Sequence, residues 1–134
     1  MNKIRQKAKD WFFLAEEDLK ISQVLLREKI YHAVCFHSQQ AAEKAIKAYH
    51  LQKLGKVRKI HSLVGLVNVN REIKRGFLEI IGEIEFLDQF YVPARYPDAL
   101  PGSLPEGLPQ RKEAEKALKF AQEVVDFVKR KIKF

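Results

Sequence analysis

Ala33, Ala41, Ala42, Ala45 and Ala48 crowd into one stretch, Tyr31 to His50, that reads YHAVCFHSQQAAEKAIKAYH. Alanine favours helix, and a helix faced with such small side chains lets neighbouring helices approach closely. A chain carrying this segment is constrained to build around it. Gln39, Gln40, Glu43, Lys44 and Lys47 place polar groups within or beside the same contact. Glu43 and Lys47 stand four apart in the order that favours a helical ion pair. On residue types alone this is a core helix with one wet face.

The remainder of the chain repeats the helical period. Ile4, Ala8, Trp11, Ala15, Leu19, Ser22 and Leu26 advance in steps of three and four and define one inner stripe. A turn at Arg27 to Ile30 leads into the alanine helix, from about Tyr31 to Leu54, and Gly55 is a natural stop. Ser62 can cap a short helix in SLVGLVNVN. From Glu72, the residues Ile73, Phe77, Ile80, Ile84, Leu87 and Tyr91 predict one further helix that ends at Pro93. The last helix begins near Gln110, with Ala114, Ala117, Ala121, Val124, Val128 and Ile132 on its inner face. No alternating strand pattern competes. The expectation is an all-α chain, residues 1–134 forming a single domain.

At 134 residues such a domain can bury a core without disulfides or metal. Cys35 is the only cysteine, which excludes a disulfide framework or a cysteine-based zinc site within one chain; its apolar neighbours predict a buried thiol. His32 and Cys35 share a helical side, but His37 turns away from Cys35, so these three residues make a poor metal set. No cofactor is implied. No apolar run is long enough to span a membrane, and MNKIRQKAKDWFF lacks the features of a signal peptide, so a cytoplasmic protein is expected.

The net charge of +8 is concentrated. Between Lys44 and Arg75 nine basic residues face one acid, Glu72, which accounts for an excess as large as that of the whole chain. Concentrated positive charge favours a polyanionic partner, because phosphate contacts draw on local charge and counterion release; a solvated lysine-rich surface is the alternative. The segment VPARYPDALPGSLPEGLP, residues 92–109, holds all five prolines and cannot be helix throughout. Connections of that length in a bundle are functional or disordered. Arg95, Tyr96 and Asp98 stand at its start. They offer a fork, a phenol and a carboxylate that can meet a phosphate and a base or sugar, or tie the loop to its own bundle.

Taken in order, these residues resemble a HEPN domain. The motifs are Ala15-x-x-Asp18-Leu19, then Tyr31-x-Ala33 leading into Gln40-Ala41-Ala42-Glu43-Lys44-Ala45-x-Lys47-Ala48, then His61-x-Leu63, then Ala94-Arg95-Tyr96-Pro97-Asp98. The resemblance implies an up-and-down four-helix bundle with an additional short helix and a Pro-rich loop before the last helix. It also implies a homodimer and, in many small prokaryotic members, a minimal nucleotidyltransferase partner in a toxin–antitoxin pair. His61 matches the histidine that precedes the third helix, where it would fix the helix start.

The family's active branch cleaves RNA with an arginine followed, after four to six residues, by a histidine. Histidine moves the proton and arginine stabilises phosphate charge, without a metal. At the matching distances after Arg95 stand Leu100, Pro101 and Gly102. Arg27 and His32 have the spacing, but at the junction of the first two helices, which marks a chance match. The sequence therefore predicts a non-catalytic nucleotide- or RNA-binding module with Arg95, Tyr96, Asp98, Lys44, Lys47 and His61 as ligand contacts. A ribonuclease using Arg27 and His32, and a structural partner without ligand, are the alternatives. Because Phe12 and Phe13 cannot both lie at the centre of one stripe, one of them or a member of the Phe86 to Tyr91 cluster is expected to face a partner surface.

Overall fold

The alanine helix lies at the centre of the molecule. In the computed structural model, which describes residues 2–91 and 107–132, six α-helices follow one another: α1 (Asn2–Arg27), α2 (Tyr31–Leu54), α3 (Leu63–Val67), α4 (Arg71–Gly76), α5 (Ile81–Asp88) and α6 (Arg111–Lys131). A single 3-10 turn, Leu78–Ile80, joins α4 to α5. Helix α2 packs along α1 and α6 and also meets α3 and α5. Its Ala41, Ala42, Ala45 and Ala48 are fully buried, which is what close approach on several sides requires.

The result is the expected all-α bundle. Its four arms are α1, α2, the interrupted α4 to α5 segment and α6, with α3 as the additional short helix. Among the described residues there is no strand, and no helix is long and apolar enough to cross a membrane. All six expected inner residues of α6 are buried, as are Ala8, Ala15, Leu19 and Ser22 of α1. One hydrophobic cluster draws on all six helices and holds the core together.

The ends of the helices follow local chemistry. Gly55 takes the left-handed conformation, φ 74°, and its N–H bonds the Leu51 carbonyl, closing α2. The Ser62 hydroxyl accepts from the Gly65 N–H at 3.2 Å, and the Asn70 side chain accepts from Ile73 N–H at 2.8 Å. At α6 the Gln110 N–H donates to Glu113 Oε1 at 2.8 Å. Gly65 is needed for another reason: a Cβ there would stand 2.9 Å from Ile60 Cγ2, closer than packed carbons tolerate.

Two expectations change: Ile4, placed on the inner stripe of α1, is 39% exposed, and one helix differs in extent. The helix predicted from Glu72 to Tyr91 is broken after Gly76. The break turns Phe77 fully into the core, edge-on to Tyr49 at 5.2 Å and against Phe127 at 5.6 Å. A continuous helix preserves hydrogen bonds; here aromatic burial outweighs them. Pro93 and the proline-rich segment up to residue 106 lie outside the described residues.

Candidate functional site

The polar residues of α2 do not form a wet face. Gln39, Glu43, Lys47 and His50 are all buried; the first three pair with one another or with flanking elements, and neither ring nitrogen of His50 has a hydrogen bond. Asp18 of α1, also buried, receives His37 Nδ1 at 3.0 Å and Lys44 Nζ at 2.6 Å. Burial alone would raise the Asp18 carboxyl, but the hydrogen bonds and charges of His37 and Lys44 outweigh it and hold it below the usual value. A second cluster stands on the adjacent face. Glu43 Oε2 accepts from Lys47 Nζ and from His61 Nδ1, each at 3.0 Å, while its Oε1 is buried without a hydrogen bond. Gln40 donates to Gln39, and Gln39 to the His61 carbonyl at 3.1 Å, which anchors the loop carrying that histidine.

His61 is therefore held but open. Its ring stacks on Tyr91 at 5.6 Å and 14° between planes, and its side chain is 56% exposed. With Nδ1 donating to Glu43, Nε2 is the nitrogen left to act on another molecule. The helix start beyond it is fixed by different residues. Asp88 accepts from the Ser62 hydroxyl at 2.9 Å, from Leu63 N–H at 2.6 Å and from Val64 N–H at 3.3 Å, so a carboxylate from α5 sits on the first turn of α3. The imidazole turns towards Glu43 because that carboxylate lies buried beside it.

Two of the expected ligand contacts have partners inside the protein. Lys47 is 5% exposed at its side chain, against Glu43 and 5.5 Å from the Trp11 ring centroid, so its charge is used inside the protein. Lys44 is 25% exposed and engaged by Asp18. A ladder of Glu and Lys on a helix reads as surface, and only the alanine neighbours hinted that this one is internal. Arg95, Tyr96 and Asp98 lie outside the described residues. Arg27 and His32 flank the α1 to α2 turn, both exposed, and no hydrogen bond or ion pair joins them among the described residues. No group of three or more metal-ligating side chains occurs among those residues either. From the sequence, Asp18 is only part of a motif, His37 only a poor metal ligand, Tyr91 only a member of a helical stripe and of the aromatic cluster expected to face a partner, and Asp88 carries no role. The pairing of Asp18 is legible in principle, since it lies between Ala15 and Ser22 in a buried stripe, where a carboxylate must find partners.

A separate concavity opens between the start of α1 and the end of α2. This groove, about 540 Å³, is lined by Lys3, Lys7, Trp11, Leu51, Lys56 and Val57, among others. Its single acid, Asp10, is bonded by Gln6 at 2.9 Å, leaving the lysine charges in excess. His50, fully buried nearby in sequence, is kept towards its neutral form. Burial lowers its affinity for a proton, the nearby Leu66 backbone offsets part of this although neither ring nitrogen has a hydrogen bond of ordinary geometry, and the charges of Arg58 and Lys47 lower it further.

The fold has close counterparts. The chain is 35% identical over 124 residues, 86% of its length and 81% of the other's, to a Methanocaldococcus jannaschii protein named "Putative toxin MJ1304". The crystal structure of TT1696 from Thermus thermophilus superposes with a TM-score of 0.77 at 36% identity, covering 94% of this chain and 98% of that one. ST0689, described as an archaeal HEPN homologue, gives a TM-score of 0.72 at 31% identity over 95% and 98% of the two chains. The HEPN domain model matches residues 8–131, and the chain belongs to the HEPN domain family.

Proposed function

We propose that this protein is a non-catalytic HEPN module that binds a nucleotide or an RNA phosphate. It acts in the cytoplasm as a homodimer, in a toxin–antitoxin-like pair with a nucleotidyltransferase partner. The toxin name of the M. jannaschii relative supports the pairing. The observation that carries the binding reading is the groove beside Trp11. Lys3, Lys7 and Lys56 supply charge for phosphate, and the half-buried indole offers a flat surface for a base. Arg95 and Tyr96 extend the same chemistry in the segment that follows Tyr91. Lys44 and Lys47 act from within, by fixing Asp18, Glu43 and Trp11.

The test is a mobility-shift gel with a short labelled single-stranded RNA in EDTA, run at several salt concentrations. Wild type is expected to shift the RNA at low salt and to lose it as salt rises. Lys7→Ala with Lys56→Ala should weaken binding and reduce the salt dependence by about one phosphate contact per lysine. Arg95→Ala should weaken it as well. Absence of any shift at low salt would overturn the proposal and leave the structural-partner reading in front.

A metal-independent ribonuclease is a second reading, favoured by one observation. Glu43 orients His61 so that one ring nitrogen is open, an arrangement able to move a proton. Cleavage on the same gel, abolished by His61→Gln and reduced by Glu43→Gln, would establish it. Loss of cleavage in Arg27→Ala or His32→Ala would instead assign the reaction to that pair.

A further inference from the structure

Helix α1 is amphipathic on its inner side, yet its outer side is apolar too. Phe13, Leu14, Ile21 and Val24 are all exposed, Phe13 by 58%. Phe12, its neighbour, is buried, so the pair divides as the period requires. Phe13, Glu17, Lys20 and Val24 follow steps of four, three and four and make one row along the outer face. Apolar side chains end that row, and a carboxylate and an ammonium 3.6 Å apart form its middle.

Such a row reads the same under a two-fold rotation. In an antiparallel pair of α1 helices crossing at the level of residues 18 and 19, Phe13 meets the partner's Val24 and Glu17 meets the partner's Lys20. The same contacts recur with the copies exchanged, which is the definition of an isologous interface. The helix also carries the receptor for the ring. A depression of about 260 Å³ is lined by Glu17, Lys20, Ile21, Val24 and Leu25, and Val24 at its far end stands about 16 Å along the helix from Phe13 at 1.5 Å per residue. That volume admits a phenyl group. Knob and socket thus lie on one helix, displaced along its axis, and only a second copy lets each fill the other.

We propose that the outer face of α1 is a surface for a second copy of this chain, with Phe13 of each protomer seated in the partner's Ile21, Val24 and Leu25 depression. The charges favour this occupant over an acidic or a basic partner, because the row carries one of each sign in self-complementary order. The pairing rests on the homodimer of the proposed function and gives it a face. The row and the depression share no residue with the Trp11 groove, so RNA binding and dimerisation can be read apart.

Sedimentation equilibrium on the full chain at micromolar concentration tests it. Wild type is expected as a dimer. Phe13→Asp should raise the dissociation constant at least tenfold, and so should Glu17→Lys, which sets like charges opposite each other across the axis. Glu17→Lys combined with Lys20→Glu restores opposite charges and should recover the dimer; this rescue does not depend on how either single variant folds. A dimer that persists in both Phe13→Asp and Glu17→Lys would overturn the α1 face while leaving the homodimer standing. A monomeric wild type would overturn both, and the RNA gel would still decide the binding reading.

Discussion

Lys47 Nζ lies 3.0 Å from Glu43 Oε2 in the interior of the bundle, with both side chains 5% exposed. One turn of helix separates them, and on a surface such a pair contributes a few tenths of a kcal/mol. Inside, the balance is different. Each charge has lost its water, and each holds the other in place, while Glu43 also orients His61 and Lys47 also rests near Trp11.

Removing one member should therefore cost far more than removing both. Lys47→Ala leaves a buried carboxylate with His61 as its remaining donor and is expected to cost about 3–5 kcal/mol in urea unfolding. Glu43→Leu together with Lys47→Leu removes both charges and retains volume, so its loss should be smaller than that of Lys47→Leu alone. Equal losses in Lys47→Leu and the double variant would show that the unpaired buried carboxylate does not set the cost.

His50 gives the molecule a dependence on mild acid. Its folded-state affinity for protons is lowered, by burial first and then by Arg58 and Lys47, whereas in the unfolded chain the ring titrates near its ordinary 6.5. The unfolded state therefore binds the extra proton first. His50 contributes stability that is present above pH 6.5 and is lost as pH falls from there towards the lower folded value. Below pH 6.5 the expected decline is about 1.4 kcal/mol per unit at its steepest. In His50→Leu the decline in this window should vanish, as read from urea midpoints between pH 5 and 8.

Asp18 acts in a lower window. Its folded-state carboxyl is held below 3.8 by His37 and Lys44 despite burial, so its stabilisation is present above that value and disappears as pH falls through the folded one. The two acid responses are separable. Asp18→Asn should leave the His50 slope above pH 5 intact and remove part of the loss below pH 4, measured in the same titration.

The helices were legible because each inner stripe is set by local spacing: the six inner residues of α6 are buried as the period predicts. The break after Gly76 was not, since Phe77 fits a continuous helix equally well and leaves it for Tyr49 and Phe127, far away in sequence. The site followed the same division. His61 stood out as a residue type, but its partner Glu43 read as half of a helical ion pair with Lys47, and nothing in the spacing marked Asp88. Charge partners across elements are tertiary facts, and period does not encode them.

Asp88 supplies a direct check of such a fact. Its carboxylate accepts from the Ser62 hydroxyl and from two backbone N–H groups of α3, so Asp88→Ala should leave several donors short of partners. The expected cost is about 1–3 kcal/mol, with faster amide hydrogen exchange localised to residues 62–66. Asp88→Asn keeps one acceptor and should fall between wild type and alanine.

Cys35 tests the integrity of the core in a different way. The thiol is fully buried and burial, with a smaller contribution from Glu113, pushes it up to about 12, so almost none is thiolate at neutral pH. Nucleophilic reaction requires both the thiolate and access. A thiol reagent added to native protein at pH 8 should therefore react at a rate set by opening of the structure, and full reactivity should appear on adding urea past the unfolding midpoint. Lys47→Ala, by weakening the helix that carries Cys35, should speed labelling in proportion to its loss of stability if reaction requires global unfolding. Labelling that stays slow in this variant despite the lost stability would mean that Cys35 is reached through a local opening of α2 near Val34 and Ser38, independent of the Glu43 and Lys47 pair.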